Sequence, residues 1–196
     1  MQAPQELSAA VRETLSAEAY RVTGPNGPLC ELWLRKSVPA KAGAAQELGI
    51  TFGQLDQGTF VGAVRFPTDV KDYRRQLVKA GVYTLRYALV PVNGNHLGVA
   101  PQRDFLIAAP AAADQSPANV SVDEMVNLSR KAMSTGHASV WSLMGAEGQA
   151  GAPPVMIHLD EADLWVLQFS VSLQAGNPAP VVARMGLVVL GSAPES

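Results

Sequence analysis

The residues of this chain best suited to chemistry are three histidines, His96, His137 and His158. Three imidazoles are enough to hold Zn²⁺ or Cu²⁺. Met133, Met144, Met156 and Met185 lie near the second and third of them in sequence and would suit Cu(I) in an oxidising compartment. No two histidines stand at a His-x-His or His-x₃-His spacing, so the fold would have to assemble any such site. The competing reading makes the methionines core fillers. His96 and His137 then hold loops by donating to backbone carbonyls, and His158 is a strand residue.

A second constellation surrounds His96. The stretch Asn93-Gly94-Asn95-His96-Leu97-Gly98 has turn chemistry and joins two apolar runs, and Arg103 and Asp104 follow it. Asn93, Asn95, His96, Arg103 and Asp104 are therefore the candidate ligand-binding residues. With Arg103 and Asp104 supplying charge beside His96, the same group could serve a hydrolase or lyase acting on polysaccharide or peptide. The plainer reading of Arg103 and Asp104 is a local ion pair. Connections between such strands usually run about two to five residues. A longer one needs internal bonding, which predicts glycine-type backbone at Gly94 and Gly98 and a hydrogen-bonded His96.

Other chemistries find less support. There is no Gly-x-Ser-x-Gly elbow for a serine nucleophile. Asp160, Glu161 and Asp163 lack the Asp-x-Asp-x-Asp-Gly order of a calcium loop and read as a solvated turn. The glycine-rich run from Gly145 to Gly151 lacks the Lys and Ser/Thr of a phosphate loop. Lys71-Asp72-Tyr73-Arg74-Arg75 mixes signs and reads as surface, with a docking patch for an acidic partner as the sharper alternative. Trp33, Trp141 and Trp165 sit beside apolar residues, which assigns them to the core before a sugar platform. Cys30 is the single cysteine, which excludes an internal disulfide and a paired-thiolate metal site. Its place in the apolar stretch from Leu29 to Leu34 predicts a buried, inert thiol.

These residues have to be positioned by short strands. The candidates are Ala19–Thr23, Leu29–Val38, Leu48–Phe52, Thr59–Phe66, Val82–Val90, Phe105–Ala109, Ser139–Met144, Val155–Leu159, Leu164–Leu173 and Val181–Leu190. Gly24-Pro25-Asn26-Gly27-Pro28 and Asp56-Gln57-Gly58 are hairpin-type punctuation, and Asp160 to Asp163 turns the next pair. Tyr83, Leu85, Tyr87 and Leu89 alternate with Thr84 and Arg86, the period of a half-buried strand. Ser121 and Glu124 form a capping box, after which Val122, Met125, Leu128, Ala132 and Met133 fall on one helical side and Gly136 supplies a stop. The Ala-, Pro- and Ser-rich run 109–118 reads as a linker.

The expected architecture is mainly β: an antiparallel β-sandwich with one capped helix inserted between two groups of strands. Residues 1–17 form an N-terminal lead-in, 18–190 a single domain with the helix at 121–135, and 191–196 a tail. The 196 residues are 47% apolar and 16% charged, against a usual charged share of about 25%, and the net charge is −2. That balance disfavours disorder and provides no basic field for nucleic acid. No apolar run approaches the roughly 20 residues of a transmembrane helix. Met1-Gln-Ala-Pro-Gln reads as a start placed on a mature exported chain whose apolar leader has been removed, giving a periplasmic or extracellular location.

The run Gly81-Val-Tyr83-Thr-Leu85-Arg-Tyr87 is followed by 93–101, by Arg103-Asp104-Phe105-Leu106, and by Leu128-Ser-Arg-Lys-Ala132 with Thr135-Gly-His137. Together these resemble a family of uncharacterised exported β-rich proteins of environmental, acidobacterial-type bacteria, over about the middle half of the chain. The resemblance implies export and a β-sandwich and brings no activity. The leading expectation is thus a non-catalytic exported binding module, or an extrinsic subunit of an envelope assembly. It would have protein partners and no cofactor, with peripheral membrane association open to it. The alternatives are a metal- or small-ligand module using the histidines, and a hydrolase or lyase with its site at residues 93–104.

Overall fold

The alternating apolar runs do become strands. The structure is a computed structural model and describes residues 1–43, 47–91, 102–131, 133, 136–146, 153–176 and 179–193. Helix α1 is Ala9–Thr14. The strands are β1 Tyr20–Gly24, β2 Gly27–Leu34, β3 Val38–Pro39, β4 Phe60–Phe66, β5 Val70–Lys71, β6 Leu77–Val78, β7 Gly81–Leu89 and β8 Asp104–Pro110. Helix α2, Val122–Arg130, precedes β9 Trp141–Gly145, β10 Val155–Leu159, β11 Leu164–Gln174 and β12 Val181–Leu190. The protein is mainly β, and its long pairings are antiparallel.

One ladder runs β1-β2-β4-β7-β8-β9-β12-β11-β10, and β3 pairs in parallel with the end of β11. The two groups of strands read from the sequence are joined through β9. Trp141 and Ser142 pair with β8, while Leu143 to Gly145 pair with β12. The two ends of the ladder, β1 and β10, line a common groove of about 300 Å³. Strands from both halves feed one buried cluster that includes Leu32, Val64, Leu85 and Leu106 from the first and Leu167, Phe169, Val171 and Met185 from the second. At about 25 cal/mol per Å² of apolar surface removed from water, that cluster is the main source of stability.

Several boundaries differ from the expectation for physical reasons. Leu48–Phe52 is not a strand, because the Thr51 and Phe52 N–H groups donate to the Asp104 carboxylate instead of to a neighbouring strand. Helix α2 ends at Arg130, not at residue 135, and its buried residues are Met125 and Ser129, while Val122 is exposed. Ser121 caps it as expected, accepting from Glu124 N–H at 3.2 Å. The lead-in 1–17 belongs to a core: Leu7, Val11 and Leu15 are buried with Trp33, Phe60 and Ala63. The first hairpin turns at Pro25 and Asn26, with Gly27 at φ +120°, a conformation open to glycine.

The polar side of β7 is buried as well, and this orders the supposed linker. Arg86 is wholly inaccessible, and all five of its N–H groups are taken. Nε and Nη2 reach the two oxygens of Asp114 at 2.7 Å each, and Nη2 also reaches Ser116 O at 2.5 Å. Nη1 donates to Gly58 O at 2.7 Å and Ala118 O at 2.8 Å. Thr84 Oγ1 donates to Asp114 at 2.5 Å. The run 109–118 is thereby fastened across the outer face of the sheet.

Candidate functional site

Strand β8 sets the site. Its sequence, Asp-Phe-Leu-Ile-Ala-Ala-Pro, is apolar on both faces. Leu106 and Ala108 enter the main core, while Phe105 and Ile107 join Ala88 and Met125 in a separate cluster beneath α2. That second cluster leaves a cavity of about 640 Å³. Phe105 and Ile107 contribute to its lining, with Val126 and Arg130 of α2 on one side and His137, Ala138 and Val140 on another. Tyr73 and Arg74, from the turn between β5 and β6, and Val90, Pro91 and Gln102 complete the part of the wall that matters for its chemistry.

Each wall is fixed by polar bonds. Ser129 Oγ donates to Ala108 O at 2.7 Å and accepts from Ser139 N–H at 3.0 Å, tying α2 to β8 and to the segment 137–140. Ser139 Oγ accepts from Ala108 N–H at 2.9 Å. Asp72 is buried and accepts four bonds: from Arg74 N–H at 2.9 Å, Gln76 N–H at 2.8 Å, Gln76 Nε2 at 2.9 Å and Val140 N–H at 2.8 Å. Gln76 Nε2 also donates to Ala138 O at 3.1 Å, and Tyr73 N–H to Val140 O at 2.9 Å. Burial pushes the Asp72 carboxyl above its ordinary range despite those donors, and burial also raises the Tyr73 phenol.

Among the described residues the charge at the edge of the cavity is one-sided. Arg74, Arg130 and His137 are exposed residues at its edge. Asp104 contributes to the wall, but its carboxylate lies on the opposite face of β8. There it accepts from Thr51 N–H at 2.7 Å, Phe52 N–H at 3.0 Å and Tyr87 OH at 2.6 Å. Burial and the bond to Asp104 push the Tyr87 phenol up.

Of the expected site residues, Asp104 and His137 meet in the lining of this cavity, whereas His158 does not line it. Asn93, Asn95 and His96, with the rest of 92–101, lie outside the described residues, and so does the expected backbone of Gly94 and Gly98. Among the described residues Arg103 and Asp104 form no pair with each other: Arg103 donates Nε to Val90 O at 3.1 Å and lies 3.8 Å from Glu47. His137 lines the cavity. His158 belongs to β10, where Nδ1 bonds Asp160 at 2.8 Å, Nε2 bonds Asp163 at 2.9 Å, and the ring stacks on Trp165 at 4.6 Å. The two carboxylates sit on opposite ring nitrogens, so they do not converge on a common ion. Among the described residues no three His, Cys, Asp or Glu side chains are grouped to hold a metal. Trp33 and Trp141 are buried and Trp165 is half-buried. Cys30 is buried, and its thiol is pushed up to about 12, first by burial and then by Glu31.

Sequence reasoning gave no site role to Arg130 or Ser129, and it met Arg74 only in the mixed-sign run from Lys71 to Arg75, read as surface with an acidic-partner patch as the alternative. The spacing of Val126 and Arg130 by four residues does put both on one side of α2, which was the available signal. No protein-family model, curated protein or solved structure matches the chain.

Proposed function

We propose that this chain is a non-catalytic binding module and that the cavity between α2 and the outer face of β8 is its small-molecule site. The observation that carries the reading is the cavity itself. About 640 Å³ lies within the roughly 300–1,000 Å³ that small-ligand sites occupy, and its lining joins apolar residues such as Phe105, Ile107 and Val126 to polar ones such as Arg74, Arg130 and His137. The bonds of Ser129, Ser139 and Asp72 hold those walls before any ligand arrives, which lowers the ordering cost of binding. A binding role is further supported by Asp104, Asp72 and His158, whose polar atoms are engaged in internal bonds.

The test is titration with Nile red, a neutral apolar dye, on wild type and on Val126→Trp, which fills the cavity from the helix side. Saturable one-to-one binding, lost in the variant at an unchanged thermal midpoint, supports the site. Binding that is absent, or indifferent to Val126→Trp, overturns it.

The finer fold and setting belong to the same proposal. We read the ladder as a two-layer sandwich, supported by the cluster that strands of both halves share. Export to the periplasm or beyond rests on the family resemblance. A protein partner of the cell envelope is a second reading, and the specific observation favouring it is the groove shared by β1 and β10. Among the described residues these end strands of the ladder each have one unpaired edge, to which an extended segment can add. Hydrogen exchange on the complex purified from the native host checks this, and β1 and β10 unprotected by the partner would overturn it.

A further inference from the structure

We infer that the ligand of this cavity is a single-chain amphiphile ending in an anionic group, its chain on the apolar walls and its acid at the edge between Arg74, Arg130 and His137. The inference rests on the binding-site reading above and adds the chemistry of the ligand.

The argument is one of unpaired charge. Among the described residues, most arginine side chains are already satisfied. Arg21 and Arg65 lie against Glu31, Arg86 against Asp114 and Arg103 against Glu47. Arg12 and Arg35 donate to backbone carbonyls, and Arg75 donates to Ser192. Arg74, Arg130 and Arg184 have no side-chain partner among the described residues, and two of these three line the one cavity. His137 stands with them. Among the described residues of the lining the single carboxylate, Asp104, is turned to the opposite face and occupied there. In a chain of net charge −2, this is, among the described residues, a local concentration of unpaired cations around an apolar hollow. Complementarity then favours a ligand with one apolar body and one negative end. Arg130 also closes the last turn of α2, so its guanidinium is carried by an element fixed to the sheet through Ser129.

The experiment measures displacement of Nile red by decanoate, 1-decanol and decylammonium at low ionic strength. Decanoate is expected to be the tightest and decylammonium the weakest. Arg74→Gln and Arg130→Gln should each weaken decanoate by about fivefold, the upper end for an exposed ion pair, and leave decanol unchanged. Arg21→Gln, on β1, should alter neither. Added salt should close the gap between decanoate and decanol. Equal affinity for decanoate and decanol, or a decanoate preference that survives the double arginine substitution, overturns the anionic end while Nile red binding leaves the site standing. Absence of Nile red binding together with absence of decanoate binding overturns the site as well. An equal loss in Arg21→Gln would assign the effect to overall charge and also overturn the inference.

Discussion

Replacing Arg86 by Met removes the group on which the outer face of β7 depends. Five N–H donors vanish, and the Asp114 carboxylate, 2% exposed, keeps only the Thr84 hydroxyl. Removing one partner of a buried pair leaves an uncompensated charge and costs about 3–5 kcal/mol. The carbonyls of Ser116 and Ala118 are part-buried and regain water as the segment lifts, whereas Gly58 O is left in a buried bond position. Gly58 itself cannot adjust by gaining a side chain, since it sits at φ +87° with the Val120 carbonyl where a Cβ would be. Against a usual total stability of about 5–15 kcal/mol, the single variant approaches the folding threshold. Asp114→Leu should cost a similar amount, leaving the guanidinium stranded. The double variant removes both charges, so its cost should fall to about 1–3 kcal/mol, set by the orphaned carbonyls. The double-mutant cycle should therefore show a coupling of about 3 kcal/mol or more. Equilibrium urea unfolding, read by the fluorescence of buried Trp33 and Trp141, measures all four corners. Hydrogen exchange should speed up across 111–120 first. Additive single effects, or singles below about 1 kcal/mol, would refute the claim that this pair fastens the segment.

Three further outcomes are expected. The Cys30 thiol is raised to about 12 in the fold, so the unfolded chain loses its proton first, above a pH of about 8.5. Stability from this group is full below that pH and falls as pH rises, by about 1.4 kcal/mol per pH unit. Urea unfolding of Cys30→Ala between pH 9 and 10 should show a flatter slope than wild type, and an unchanged slope contradicts the assignment. Ser129→Ala loses the bonds to Ala108 O and Ser139 N–H, at about 1–3 kcal/mol, and should weaken Nile red binding through the loosened wall; the thermal midpoint and a dye titration check both. Asp72→Asn keeps one oxygen for Arg74 and Gln76 N–H but sets an amide donor against Val140 N–H. Unfolding measurements should register about 1–3 kcal/mol, and dye binding should again weaken.

Much of the strand content was legible because alternation is a local signal. Val155–Leu159 and Val181–Leu190 form with the bounds that their apolar period indicates. Pro25 and Asn26 turn where turn chemistry placed them. What escaped depends on partners far away in sequence. Leu48–Phe52 has a strand's composition, yet its N–H groups answer to a carboxylate some fifty residues on. The run 109–118 has a linker's composition, yet Arg86 orders it. Arg86 in turn alternates with apolar neighbours just as a solvated strand residue does. A period of two reports that a face differs from its opposite; it does not report whether a second layer covers that face.

The same limit governs the site. His137 was legible as a candidate because histidine is rare and titratable, and it does line the cavity. Arg74 and Arg130 are ordinary by type: the first falls in a mixed-sign run that reads as surface, and the second carries no signal of its own in the sequence. Their chemistry comes from what they lack. An arginine is available to a ligand when no internal acceptor claims it, and acceptors are distributed by the fold. Glu31, Glu47 and Asp114 hold four of the other guanidinium groups, and none of these three acids lines the cavity beneath α2. Ser129 carries the complementary lesson. Sequence periodicity puts Leu128 on the buried face of α2 with Met125; Met125 is buried, but the helix turns the Ser129 hydroxyl inward beside it, where it partners Ser139 N–H and adds a second donor to Ala108 O, which also accepts from Ser139 Oγ at 3.1 Å. A helix docked by apolar contact alone could slide along β8. One docked by a serine with two partners, on β8 and on the segment 137–140, has its register set by them, and the cavity beneath it is bounded accordingly.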